Sequence, residues 1–504
     1  MTTVNTPNPT AIPDQASSPC VTAKALQEAR CHARISGVTT QATSPKNAIP
    51  LHLVGADDYA GWLANSAPQN IRQWAKNQKF SGKAGNTLDI FDADGALVES
   101  VGVVGDTTSP FSFSAIAAKL RPALYSVSAQ GTLDPKNDPA LASTILTGWG
   151  YQHYRKTAAE SVLLDATGFD AAASKDALHI VQSAFLIRDL INTPANIMGP
   201  KELADAALGI SQKFNARAKI HVVTDERDFP MLWAVGKAAT AHKYKDEAPR
   251  LFEMEWGDPA DPKLILIGKG ITYDTGGLAI KTGPRMVTMH RDMGGAAHAL
   301  GLAHYLMASG QKMHIKLVLP LAKNAIGATA YENGAIITAK NGKTIEIENT
   351  DAEGRLVLSD ALVHACADPN FADAPIVNFA TLTGAGRSVC APDVPVVMSN
   401  DNALARRIME HGETMDDLYE SVTIHKKHAG AVRGTFADLA NSGGASFPGH
   451  SYAMHFLLNF VNDGRTLVHC DQPCWNFSSS AGKKIGGMDQ GLRNFARLLP
   501  KIIR

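Results

Sequence analysis

The run Leu264-Ile265-Leu266-Ile267-Gly268 does most to limit what this chain can become. It is apolar on both faces and closed by glycine. Such a run reads as a strand buried inside a parallel sheet, with helices above and below. Ile220–Thr224, Arg250–Trp256, Ile315–Leu319 and Ile376–Ala380 read as further strands, and helical patterns alternate with several of them. An α/β fold follows, with a mixed central sheet flanked by helices. Ala177–Ile191 reads as a linking helix, ended by Asn192-Thr193-Pro194, because the residue before proline disfavours helix. Pro200 suits the first turn of the next helix, through Phe214.

A smaller α/β domain precedes it. Ile49–Val54 reads as a strand, Asn70–Lys76 as a helix, Thr87–Phe91 and Leu97–Val104 as a hairpin, and Ala115–Tyr125 as a helix. Asp92-Ala93-Asp94-Gly95 resembles the start of a calcium loop, but no closing Glu follows, so it reads as the hairpin turn. The expected division is a flexible N-terminal extension over 1–45, helical around Thr22–Ala33, an N-terminal α/β domain over 46–170, and a linker helix with the larger C-terminal domain over 171–504.

Two strand-to-helix turns carry the chemistry. The first follows Leu264–Gly268 and reads Lys269-Gly-Ile-Thr-Tyr-Asp274-Thr-Gly-Gly277, then Lys281, then Asp292-Met-Gly-Gly-Ala-Ala297 opening a helix that stops near Gly310. The second is Asn349-Thr-Asp351-Ala-Glu353-Gly-Arg355-Leu356. It follows a strand-like run, Lys343–Glu348, entered through an Asn341-Gly342 hairpin turn. Ligands in α/β folds bind beyond the carboxyl ends of the strands, and both turns are expected to meet there. Carboxylates so close repel unless a cation lies between them.

These motifs, with Arg188-Asp189-Leu-Ile-Asn192-Thr-Pro-Ala-Asn196 and Ala380-Thr-Leu-Thr-Gly-Ala385, resemble the signature of the leucyl aminopeptidase family, the cytosol aminopeptidases with two metal ions. The resemblance covers about the last two-thirds of the chain, with separate motifs in the right order. It implies two divalent ions per subunit (Zn, Mn, Mg or Co), held by Lys269, Asp274, Asp292, Asp351 and Glu353, with Asp274 and Glu353 bridging. It implies Lys281 and Arg355 as the catalytic pair, Arg355 holding a bicarbonate ion as general base. Met289, Thr381 and Gly384 match positions lining the pocket for the first side chain. The implied activity is removal of an N-terminal residue, preferably leucine or another large apolar one, from peptides with a free N-terminus. A homo-hexamer in the cytoplasm is implied too. Read without the family, Lys269 pairs with Asp274, Arg355 pairs with one of the acidic residues, and Met289 packs in the core. Two departures stand out: Lys323 where many relatives carry Glu, and His469–Asn476 in place of a more apolar segment.

The alternative function is a catalytically inactive relative serving as a structural or nucleic-acid-binding protein. Such a chain is expected to lose ligands, and all five are present. Lys and Arg balance Asp and Glu, 48 against 48, so nothing in the net charge points to nucleic acid or an anionic membrane. No apolar run reaches the ~18 residues of a membrane span. Met1–Ser18 has no apolar core of the kind a secretory signal needs. The six cysteines form no Cys-x-x-Cys pair and read as reduced thiols; Cys470 and Cys474 are expected to be buried rather than to bind metal. Gly444–Ser451 imitates a phosphate loop but has His450 where a lysine is required.

Overall fold

The computed structural model describes residues 38–39, 48–105, 109, 111–121, 123–133, 163–165, 171–242, 245–391, 393–443 and 448–503. The expected helix near Thr22–Ala33 and most of the 1–45 extension lie outside these residues, as do Cys20, Cys31 and residues 444–447 of the Gly444–Ser451 segment.

The N-terminal part forms a sheet in the order Val38–Thr39, Leu163–Asp165, Leu124–Gln130, Ile49–Gly55, Leu97–Val104, Thr87–Phe91. All neighbours are parallel except the last pair, which is the expected hairpin. Asp92 caps its turn by accepting from the backbone N–H groups of Asp94 and Ala96, while Gly95 takes a positive φ of 82°. The helix expected over Ala115–Tyr125 is a correction. The helix spans Phe111–Ala117, and a strand begins at Leu124. The alanines at helical spacing hid the stop signal of Arg121-Pro122 in the sequence.

The larger part is built on a mixed sheet in the order Glu420–Ser421, Val396–Ser399, Leu467–Asp471, Ile376–Ala380, Lys263–Gly268, His314–Asn324, Arg250–Trp256, Arg217–Val222. Lys263–Gly268 lies at its centre, parallel to both neighbours and buried from Leu264 on. Gly270–Asp274 continues past it and pairs with the end of His314–Asn324. Helices Ala171–Asn192, Gly294–Ala308 and Leu492–Ile502 contribute to one core cluster, and Pro230–Gly236, Glu353–Cys366 and Gly449–Leu458 to another. The first cluster continues into Leu51 and Tyr125 of the N-terminal sheet and Phe113 of the helix Phe111–Ala117. The long helix Ala171–Asn192 is tied to the end of the chain by a buried pair, Arg188 Nε to Asp489 Oδ1 at 2.5 Å.

The strand before the acidic octet is a second correction. It is only Thr344–Glu346, and it belongs to a separate three-stranded sheet with Ile336–Thr338 and Leu439–Ala440. The Asn341-Gly342 hairpin is present, with Gly342 at φ 85°. Among the described cysteines, Cys366, Cys470 and Cys474 are buried and Cys390 partly so, all as free thiols.

Candidate active site

Backbone closeness positions the first turn. Lys269 N–H donates to Phe379 O at 3.0 Å, and Ala296 N–H donates to Lys269 O at 2.8 Å. The helix Gly294–Ala308 thus starts directly against the strand ends. Only glycine fits there: a Cβ on Gly268 would lie 2.4 Å from Gly295 O, and one on Gly295 would lie 2.2 Å from Phe379 O.

The second turn is clamped from below. Asn441 is fully buried; its Oδ1 accepts from Glu348 N at 2.9 Å and Asn349 N at 3.1 Å, and its Nδ2 donates to Asn349 O at 2.7 Å. Thr350 joins the two turns, donating through Oγ1 to Gly276 O at 2.7 Å and accepting from Ala279 N at 2.9 Å. Glu353 then opens the helix Glu353–Cys366, where the N-terminal dipole favours its negative charge.

The result is one cluster. Carboxylate oxygens of Asp274, Asp351 and Glu353 lie within 4.8 Å of one another. The Lys269 Nζ sits 2.8 Å from both Asp292 Oδ2 and Glu353 Oε1, and donates to Thr381 O at 3.1 Å. Lys281 Nζ lies 2.7 Å from Asp274 Oδ2 and also contacts Asp351 Oδ1. So Lys269 pairs with Asp292 and Glu353, and it is Lys281 that takes the direct pairing with Asp274. Asp274 Oδ1 is further held by Gly276 N and Asn324 Nδ2, each at 2.9 Å. Thr381 Oγ1 donates to Asp292 Oδ1 at 2.5 Å.

Electrostatically the cluster is short of positive charge. Burial, aided by neighbouring carboxylates, pushes Asp292 and Asp351 up to about 6 and Glu353 to about 7. Burial works against the Lys269 ammonium, but Asp292, Glu353 and Asp274 outweigh it and hold its pKa well above the usual lysine value. Lys281 behaves likewise, against Asp274, Glu353 and Asp351.

Arg355 stands apart from these pairs. Its guanidinium is buried, with Cζ 5.9 Å from the Phe456 ring, and Nε and Nη1 have no hydrogen-bond partner. Burial lowers it to about 10. Met289 is half-buried at the start of the 3-10 turn Met289–Met293. Gly384 is exposed, with open space where a Cβ would stand. The loop between Thr381 and Gly384 is shaped by Asp471, which accepts from Leu382 N at 2.9 Å and Thr383 N at 3.1 Å. Thr381 was expected only as pocket lining. Its grip on Asp292 and the roles of Asn324, Asn441 and Asp471 carry no spacing signal, since each supports a turn from a distant segment.

A mixed α/β sheet that gathers this many carboxylates and two lysines at its strand ends has the donor set of a divalent-metal protein. The match can be narrowed. The model of the cytosol aminopeptidase family, catalytic domain, matches residues 185–494. That of the M17 aminopeptidase, N-terminal domain, matches residues 49–165. The probable cytosol aminopeptidase of Sinorhizobium fredii is 33% identical over 445 residues, spanning 83% of this chain and 88% of the relative. The crystal structure of cytosol aminopeptidase from Coxiella burnetii is similar at a TM-score of 0.84 and 34% identity, covering 93% of this chain and 100% of that one. A mutant of tomato leucine aminopeptidase is similar at a TM-score of 0.76 and 26% identity, covering 92% and 96%. The chain belongs to the cytosol aminopeptidase family. It is a metallo-exopeptidase, a hydrolase acting at the end of peptide chains.

Proposed function

We propose that this aminopeptidase uses two divalent ions to remove the N-terminal residue, preferably leucine or another large apolar one, from peptides with a free N-terminus. The observation that carries the reading is the convergence of Asp274, Asp351 and Glu353 with Lys269 and Asp292 on one cluster. The residues fit such ions. Four of the five donors are hard carboxylate oxygens and the fifth is the Lys269 amine, a set that suits Zn, Mn, Mg or Co. Glu353 Oε2 is buried without a hydrogen-bond partner. Lys269, Asp274, Asp292, Asp351 and Glu353 would hold the pair. When bound, such ions lower the pKa of a water and polarise the scissile carbonyl.

The rest is the work of side chains. Lys269, which the carboxylates hold as a cation, would give up its proton in the field of the two bound ions in order to act as a donor. Lys281 keeps its charge and stabilises the oxyanion of the tetrahedral intermediate. Arg355, with Nε and Nη1 unpartnered, would hold a small oxyanion such as bicarbonate, which would supply the general base. Met289, Thr381 and Gly384 line the pocket for the first side chain; the leucine aminopeptidase of tomato among the neighbours supports leucine there. Lys281→Ala or Arg355→Ala should spare metal content and lower turnover, by ~10²–10³-fold for one lost transition-state donor. Added bicarbonate should stimulate wild type more than Arg355→Ala. Metal loss in either variant, measured by elemental analysis, would show the roles to be wrong.

The raised carboxylate pKa values set the pH response. The folded protein holds protons on Asp292, Asp351 and Glu353 more tightly than an unfolded chain, whose values lie near 3.8 to 4.5. Metal-free protein therefore loses stability as pH rises from about 4 towards 7. Metal offsets that loss. The rise in melting temperature on adding metal should be larger at mildly alkaline than at mildly acidic pH, and activity should climb in the same direction. A larger metal effect at acidic pH would contradict this.

Residues 46–170 and 171–504 are proposed as the two domains, supported by the N-terminal family match at 49–165 and the helix from Ala171. A homo-hexamer in the cytoplasm is part of the same proposal. The full ligand set argues against an inactive structural or nucleic-acid-binding relative.

A further inference from the structure

A second convergence of metal-ligating side chains lies outside the cleft. Strands Arg217–Val222 and Arg250–Trp256 and helix Glu353–Cys366 bring His221, Glu253 and His364 together, all half-buried. Glu253 pairs with Lys219 across the antiparallel ladder, so His221 is its diagonal neighbour on the same face. His221 Nε2 lies 2.7 Å from Glu253 Oε1, and His364 Nε2 lies 2.9 Å from Glu253 Oε2. The two rings meet edge to face at 5.7 Å, and Phe229 packs edge to face on both, at 5.6 and 5.5 Å. One ligand atom from each of the three residues falls within 4.8 Å of the others.

We propose that His221, Glu253 and His364 form a separate divalent-metal site, taking zinc or another borderline transition ion such as cobalt or nickel through two imidazole nitrogens and one carboxylate oxygen. The donor set is of the kind these ions prefer, and three protein ligands leave a fourth position for water. Hydrogen bonds, chiefly from His364, hold the Glu253 carboxyl well below its usual range, so it is an anion. His364 lies in the last helical turn and is the basic residue there, at the end where the helix dipole favours a cation. The cation already nearby, Lys316, sits 3.5 Å from Glu253 Oε2 but is held more closely by Asp368 at 2.7 Å. Lys316 flanks the carboxylate and leaves both imidazoles directed at it. Glu353 opens the same helix, eleven residues before His364, so the two sites stand ~16 Å apart along its axis.

The test uses the 504-residue chain, stripped of metal, reloaded with zinc and freed of excess by gel filtration. Wild type should retain one more ion per chain than His364→Gln or Glu253→Gln, while both variants keep leucine-amide hydrolysis. Asp351→Ala should keep the additional ion although it loses activity, which separates this site from the cleft. Loading with cobalt should give wild type an absorption band that His364→Gln lacks, an independent reading if Glu253→Gln folds poorly. Equal zinc content and equal cobalt spectra in wild type and His364→Gln would overturn the proposal and leave an ion-pair cluster only.

Discussion

Chelating the divalent metal is expected to stop release of leucine from leucine amide, and adding back zinc, manganese, magnesium or cobalt to restore it. That is the largest effect expected, because a bound divalent ion both lowers the pKa of water and polarises the carbonyl. The two lysines are already engaged by carboxylates, and Arg355 is buried as a cation. Asp351→Ala should reproduce the loss without chelator. Its side chain is 31% exposed, so removing it empties no core space, and circular dichroism should match wild type. The drop should exceed the roughly 10²–10³-fold that a single hydrogen-bond donor is worth. Full activity in verified metal-free protein would end the two-metal reading.

Blocking the amino end of the substrate should be nearly as severe. Leu-Gly-Gly is expected to lose its first residue, while its N-acetyl form remains intact. In the proposed arrangement the free amine binds within the carboxylate cluster. It must be neutral, which its ordinary pKa of about 7.7–8.0 permits at mildly alkaline pH. Acetylation removes the lone pair and adds bulk at the same spot. An endopeptidase built from the same carboxylates would show no such dependence. Mass spectrometry of the two digests decides: internal cleavage, or equal cleavage of the blocked peptide, would sink the proposal while sparing the metal chemistry.

The cleft was largely legible in the sequence, and the reason is local. Lys269, Asp274, Asp351 and Glu353 sit in turns at element ends, where a charged residue between apolar runs is visible at once. Lys281 and Asp292 follow within the same segment. What stayed hidden was supplied from afar. Asn441 reaches the Asn349 turn across 92 residues, and Thr381 reaches Asp292 across 89. Neither spacing nor polarity marks such partners. The three-stranded sheet beneath the octet was missed for a related cause: its strands are two or three residues long, too short to show a period. Helix Glu353–Cys366 showed its apolar side but not its depth, since even Arg355, Ser359 and Asp360 are buried.

The Asn441 clamp also has a meaning for the life of the chain before it is complete. A polypeptide emerging from the ribosome exposes Lys269 first, the octet some eighty residues later, and Asn441 only after some ninety more. Closing such distant segments on one another carries an entropic cost met late, once most of the long-range contacts are in place. Arg188 waits longer still, for Asp489, 301 residues on. A nascent chain therefore holds the acidic residues of a peptidase without the scaffold that brings them to bear. Proteolytic capacity arrives with the last part of the polypeptide, and a truncated product would lack it.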